Sequence, residues 1–145
     1  MHVGDLFGKQ ELHSLSRDAT AMDAARAMTA ARVGAILVLA EDGALAGIFT
    51  ERDLMSRVVV PGRDPARTPL AEVMTSEVYA VGPDADLATV RRELQRRHIR
   101  HLPIVVGGRV IGMVSLRDVL RADLAEKARE VREMENYFLG GEGPP

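Results

Sequence analysis

Thr50 and Asp53, and again Ser115 and Asp118, place a hydroxyl three residues ahead of a carboxylate. Two chemistries need that spacing. One is local: a Ser or Thr at a helix N-cap accepts from the N–H three residues on, and an acid there reaches back to the cap's own N–H. A carboxylate in the first turn also offsets the helix dipole. The other is recognition. Where a strand ends and a helix begins, hydroxyl and carboxylate share one rim, and the carboxylate can accept hydrogen bonds from both hydroxyls of a ribose. The Ser or Thr oxygen adds a contact, and the first N–H groups of the helix lie near any phosphate. The two uses are compatible.

Other chemistries find no apparatus. His2, His13, His98 and His101 lack metal-ligand spacing with partner carboxylates, so no metal is expected. No nucleophile–base–orienter set or phosphate-gripping lysine loop can be assembled, and neither enzymatic activity nor a catalytic cofactor is expected. There is no cysteine among the 145 residues, which removes disulfides and thiolate sites and fits a reducing cytoplasm. Nineteen Lys and Arg against 21 Asp and Glu give a formal charge of −2, hence no global attraction to nucleic acid or an anionic membrane. The basic stretch RRELQRRHIR (91–100) reads as a solvated helix face with Leu94 turned inward. Aromatic residues, at 3%, offer little surface for stacking bases. MHVGDLFGKQ has no signal-peptide pattern, and no apolar run reaches membrane-spanning length. A cytoplasmic protein with no membrane or nucleic-acid partner is expected.

The elements that must position the two motifs also come twice. GIFTERDL (47–54) returns as GMVSLRDV (112–119), 65 positions later. LSRDATAMDAARAM (15–28) falls on VGPDADLATVRREL (81–94), and RVGAILVL (32–39) on HIRHLPIV (98–105). In each copy an acid, Asp18 or Asp84, precedes an amphipathic helical segment. A strand follows over 35–39 or 102–106, then a hairpin signal, Asp42-Gly43 or Gly107-Gly108, and a second strand over 45–49 or 110–114. The expected class is α+β: two strand–helix–strand–strand–helix repeats packed by a pseudo-twofold, since one unit cannot bury both faces alone. The first repeat spans 1–58, the linker VVPGRDPARTP 59–69, the second repeat 70–122, a C-terminal helix 123–139 and a flexible tail 140–145. LFG (6–8) stands where the second repeat has VMT, a local departure from the pattern.

Taken together, GIFTERD and GMVSLRD, SRDAT and GPDAD, RVGAILV and RHLPIV, with AEVMT opening the second repeat, resemble a CBS-domain pair, the Bateman module. The resemblance covers about residues 3–122. Each motif is short; their repeated order is specific. It implies an adenosine derivative held between the repeats, with the motif of one repeat on the ribose and the strand edge of the other on the adenine. One site would join Ser115 and Asp118 to Ser16 and to the backbone around Val33, Gly34 and Ala35. The other would join Thr50 and Asp53 to the backbone around Ile99 and Arg100. Phosphates would lie toward Arg100 and His101, which have no basic counterparts in the first repeat, and the Ser115/Asp118 site is favoured.

The resemblance implies a non-catalytic sensor of AMP, ADP or ATP that passes its occupancy to an unidentified regulated protein. The alternatives are a ligand-free dimerisation or interaction module, and a binder of NAD or S-adenosylmethionine-type ligands. CBS pairs also resemble one another in dimerising. Independent grounds for a homodimer lie in Leu124, Ala128, Val131, Met134 and Phe138, which share one face of the C-terminal helix.

Overall fold

The glycines that open the two echoed motifs are needed because another part of the chain crosses each of them. A Cβ on Gly47 would stand 2.6 Å from Met74 Sδ, and one on Gly112 would stand 2.6 Å from Phe7 Cε2. Met74 belongs in sequence to the start of the second repeat, and Phe7 to the start of the first. Each lead-in segment therefore packs on the other repeat. The exchange is reciprocal, which is the pseudo-twofold relation in physical form.

The computed structural model describes residues 1–8 and 11–139. In the first half, β1 (Ser14–Ser16) lies parallel to β2 (Ala35–Leu39), which pairs antiparallel with β3 (Leu45–Thr50). Helix α1 (Ala21–Ala31) connects β1 to β2, and α2 (Glu51–Asp53) follows β3, running on as a π-helical turn over Leu54–Val59. After a 3-10 turn at Pro65–Arg67 come α3 (Leu70–Val73) and α4 (Leu87–Arg97). The hairpin of β4 (His101–Val106) and β5 (Arg109–Ser115) then leads into α5 (Leu116–Leu139). The turns use left-handed glycines, Gly43 in one hairpin and Gly107 and Gly108 in the other.

Two apolar cores result. In one, Ala21, Ala24 and Met28 of α1 meet Ile36, Val38 and Phe49 of the sheet, and Leu70 and Val73 of α3 close it. In the other, Leu87, Val90 and Leu94 of α4 meet Leu102, Ile104 and Val114, closed by Val3. Backbone bonds fasten both exchanges: Leu70 N donates to Ala19 O and Ala21 N to Thr68 O, while Val3 N donates to Ala85 O and Gly4 N to Pro83 O. Repeats contiguous in sequence, 1–58 and 70–122, are thus interleaved in space.

The structure departs from the sequence-based expectation in three places. The first strand of the second repeat is reduced to one parallel bridge, Val81 to Ile104. Pro83 follows almost at once and has no N–H to continue a ladder. Asp18 and Asp84 precede the helices as expected, and the caps are Thr20 and Asp86, whose side chains accept from Asp23 N and Thr89 N. The segment 123–139 is not a separate helix; it continues the one that begins at Leu116. The basic stretch is only partly solvated: Arg91 Nε lies 2.9 Å from the buried Asp123 carboxylate, off the line of a hydrogen bond. The tail 140–145 lies outside the described residues. Among the described residues, no helix is long and apolar enough to cross a membrane.

Candidate functional site

Both motifs form the local structure that their spacing allows. Thr50 N donates to Asp53 Oδ2 at 3.0 Å and Asp53 N to Thr50 Oγ1 at 3.1 Å, a complete capping box. Ser115 N donates to Asp118 Oδ2 at 3.3 Å and Asp118 N to Ser115 Oγ at 3.1 Å. The next N–H of each turn is also taken: Glu51 N donates to Gly34 O and Leu116 N to Arg100 O. Three N–H groups at the start of each turn are therefore already paired within the protein.

The two carboxylates differ in setting. Asp53 is only 7% exposed. Its Oδ1 keeps long contacts, 3.4 Å from Thr75 Oγ1 and 3.7 Å from Arg57 Nε, which leaves room for a better donor. Asp118 is exposed.

Each motif opens onto a cavity between the repeats. The larger, about 530 Å³, brings Thr50 and Asp53 together with Ile99, Arg100 and His101, the residues that the resemblance groups. It adds Arg52, Thr75, Tyr79 and Arg97, which the sequence reading did not single out. Arg52 Nη1 donates across the repeats to His98 O at 3.2 Å. The Arg97 guanidinium lies 4.5 Å over the Tyr79 ring, a cation–π contact, and Arg97 Nε donates to Glu93 at 2.9 Å. Hydrogen bonds from Arg96 and Arg97 hold the Glu93 carboxyl down to about 2. Burial, with Glu93 nearby, pushes the Tyr79 phenol up despite Arg97. An aromatic wall was invisible in a chain with two tyrosines, because only folding brings Tyr79 under α4.

The smaller cavity, about 360 Å³, joins Ser115 and Asp118 to Val33, Gly34 and Ala35. Two expected members are elsewhere. Ser16 pairs with Leu39, four residues beyond Ala35 along β2 or about 13 Å away, and its hydroxyl accepts from Asp18 N. Glu11, Leu12 and His13 occupy that side instead. Arg100 lines only the larger cavity, and among the described residues the smaller one has imidazoles and carboxylates around it but no guanidinium or ammonium.

Gly34 and His101 line both cavities. A Cβ on Gly34 would stand 3.2 Å from Glu51 Oε1 and 3.5 Å from His101 Cε1, so these residues form the wall between them. Burial lowers the His101 pKa from its ordinary 6.5; Glu51 opposes the shift and Arg100 adds to it. Among the described residues, no cluster of three His, Cys, Asp or Glu is placed to hold a metal ion.

Comparison with known proteins agrees with this architecture. The family model described as CBS domain matches twice, over residues 3–60 and 70–125. The CBS domain-containing protein CBSX3, mitochondrial, of Arabidopsis thaliana is 37% identical over 128 residues, 86% of this chain and 62% of the relative. The CBS domain-containing protein YhcV of Bacillus subtilis is 36% identical over 109 residues, 75% of this chain and 76% of the relative. The chain thus spans less than two thirds of CBSX3. Among solved structures, a CBS domain protein from Pyrobaculum aerophilum complexed with AMP superposes with a TM-score of 0.74 at 30% identity, covering 89% of this chain and 99% of that one. By its two matched repeats and their interleaved fold, the chain belongs to the CBS domain family.

Proposed function

We propose that this CBS pair is a non-catalytic regulatory module that binds an adenosine phosphate, AMP or a close relative, and signals its occupancy to a partner protein. The larger cavity is the nucleotide site. One observation carries the reading: Arg52, Arg97 and Arg100 surround the same cavity as the Thr50/Asp53 motif. Asp53 and Thr50 take the ribose, the strand edge at Ile99 and Arg100 takes the adenine, and the guanidiniums with His101 take phosphate. The volume lies within the range of small-ligand sites, about 300–1,000 Å³. The AMP complex of the Pyrobaculum relative supports the ligand class.

This choice reverses the preference for the Ser115/Asp118 site. The larger cavity sets Arg52, Arg97 and Arg100 against Glu51, Asp53 and Glu77, whereas the described residues of the smaller one include Glu11 and Asp118 and no arginine, which suits the nucleoside part of a ligand or an S-adenosylmethionine-type cation better than a phosphate. Binding shifts the protein only so far as the ligand prefers one packing of the repeats over another.

A second reading, an interaction module with unused pockets, draws on Met55, Val59 and Val60, exposed large apolar residues in and just after the π-helical turn. These side chains suit burial in a homodimer, and the two readings coexist. A thermal-shift panel of adenosine, AMP, ADP, ATP, NAD, S-adenosylmethionine and GMP separates them. A ligand at 100 times its Kd adds about 2.7 kcal/mol, on the order of 5–10 °C for a domain of this size. No response to any adenosine compound leaves only the interaction module.

A further inference from the structure

Asp53 and Asp118 hold the same place in two copies of one motif, but their second carboxylate oxygens are not equally furnished. Among the described residues, Asp118 bonds only within its own turn, to Ser115, and it is exposed. Asp53 likewise spends Oδ2 on Thr50 N, but its Oδ1 faces Thr75 Oγ1 at 3.4 Å and Arg57 Nε at 3.7 Å. The other copy has neither neighbour. Ala122 stands in place of Arg57, 65 positions later, and Gly8, the last residue of LFG, stands in place of Thr75.

Both neighbours of Asp53 are fixed from behind. Arg57 Nη1 donates to Met74 O at 2.8 Å and lies 3.4 Å from Val73 O, the carbonyls that end α3. A cation suits the last carbonyls of a helix. Thr75 is fixed by its backbone, whose N–H and C=O both pair with Ile48 of β3, and its side chain lines the larger cavity. Contacts of 3.4 and 3.7 Å are too long to be strong bonds. They restrict rotation of the carboxylate while leaving Oδ1 with acceptor capacity for a better donor. An acceptor already held in place has less freedom to lose when a ligand's hydroxyls reach it. We infer that Arg57 and Thr75 are positioning residues for Asp53, and that they make the larger cavity selective for a ribose carrying both free hydroxyls. The inference rests on the nucleotide site proposed above and adds to it the part of the ligand that is selected.

The test compares AMP with 2′,3′-dideoxy-AMP, which keeps the base and the phosphate and lacks both ribose hydroxyls. Calorimetry on the full chain should find that the wild type binds AMP about tenfold or more tightly than the dideoxy compound. Arg57→Ala, which copies the second repeat, should weaken AMP by about three- to tenfold and leave the dideoxy compound within twofold. Thr75→Val keeps the backbone bonds to Ile48 and should lose the same discrimination, whereas Thr75→Ser should keep it. A purely structural role would weaken both nucleotides alike. That result in either variant, AMP binding unchanged in either, or a wild type that binds the two compounds equally would overturn the inference and leave the nucleotide site standing. No binding of AMP by the wild type would overturn the site itself, and the inference with it.

Discussion

Phe7 lies across Gly112 so closely that a methyl group on the glycine would stand 2.6 Å from the ring. Gly47 is held in the same way beneath Met74, but there the carbonyl oxygen of Thr75 also stands 2.8 Å from the Cβ position. Thr75 N and O exchange hydrogen bonds with Ile48, so this strand cannot retreat without losing them.

The two glycines are therefore unequally sensitive. Gly112→Ala should cost about 1–3 kcal/mol, the range for overfilling a packed site, and Phe7→Leu should relieve part of it. Gly47→Ala should cost more, and shortening Met74 should relieve little. Urea unfolding of the four single variants and the two pairs checks this; equal costs, or full rescue at Gly47, would contradict the account.

Arg91 and Asp123 hold α4 to α5 by an ion pair at 2.9 Å, with Lys127 Nζ 3.3 Å from the same carboxylate oxygen. The equivalent positions in the first repeat are Ala25 and Val58, an apolar pair. Asp123→Ala leaves a mostly buried guanidinium unpaired and should destabilise by about 2–4 kcal/mol. Arg91→Ala with Asp123→Val copies the first repeat and should recover most of that loss. A double variant as unstable as Asp123→Ala would show that the pair acts differently.

Much of this fold was legible in the sequence because it is written twice. The hairpins follow from Asp42-Gly43 and Gly107-Gly108, and the two Thr/Ser-x-x-Asp motifs are helix caps, as their spacing required. The departure at LFG (6–8) became intelligible only in three dimensions: Phe7 fills the place on Gly112 that Met74 fills on Gly47. Ser16 was misplaced because a three-residue strand gives no sequence signal for which end faces the ligand cleft. Arg97 and Tyr79 were missed because a cation–π contact between residues far apart in sequence has no local pattern. Glu51, which with Gly34 and His101 divides the two cavities, was equally silent.

His101 sets the pH response. Its pKa in the fold is below 6.5 because burial disfavours the imidazolium. The folded protein then binds this proton less readily than the unfolded chain, so His101 contributes stability above pH 6.5 that is lost as the pH falls toward its folded pKa. Melting temperature should decline over that window, and less so for His101→Gln. AMP should blunt the decline, since phosphate favours the charged ring, and adenosine should not. Identical pH profiles for wild type and His101→Gln would remove His101 from both roles.

In the proposed function the larger cavity grips a nucleotide by its phosphate. The direct measurement is calorimetry of AMP and of adenosine against the wild type and Arg100→Gln, a change at an exposed side chain. AMP should bind the wild type more tightly than adenosine does. Arg100→Gln should lose about 1.5–3 kcal/mol of AMP binding, the range for a charge-assisted hydrogen bond, while adenosine binding stays unchanged. Equal AMP affinity in the two proteins, or no AMP binding by the folded wild type at millimolar concentration, would contradict it.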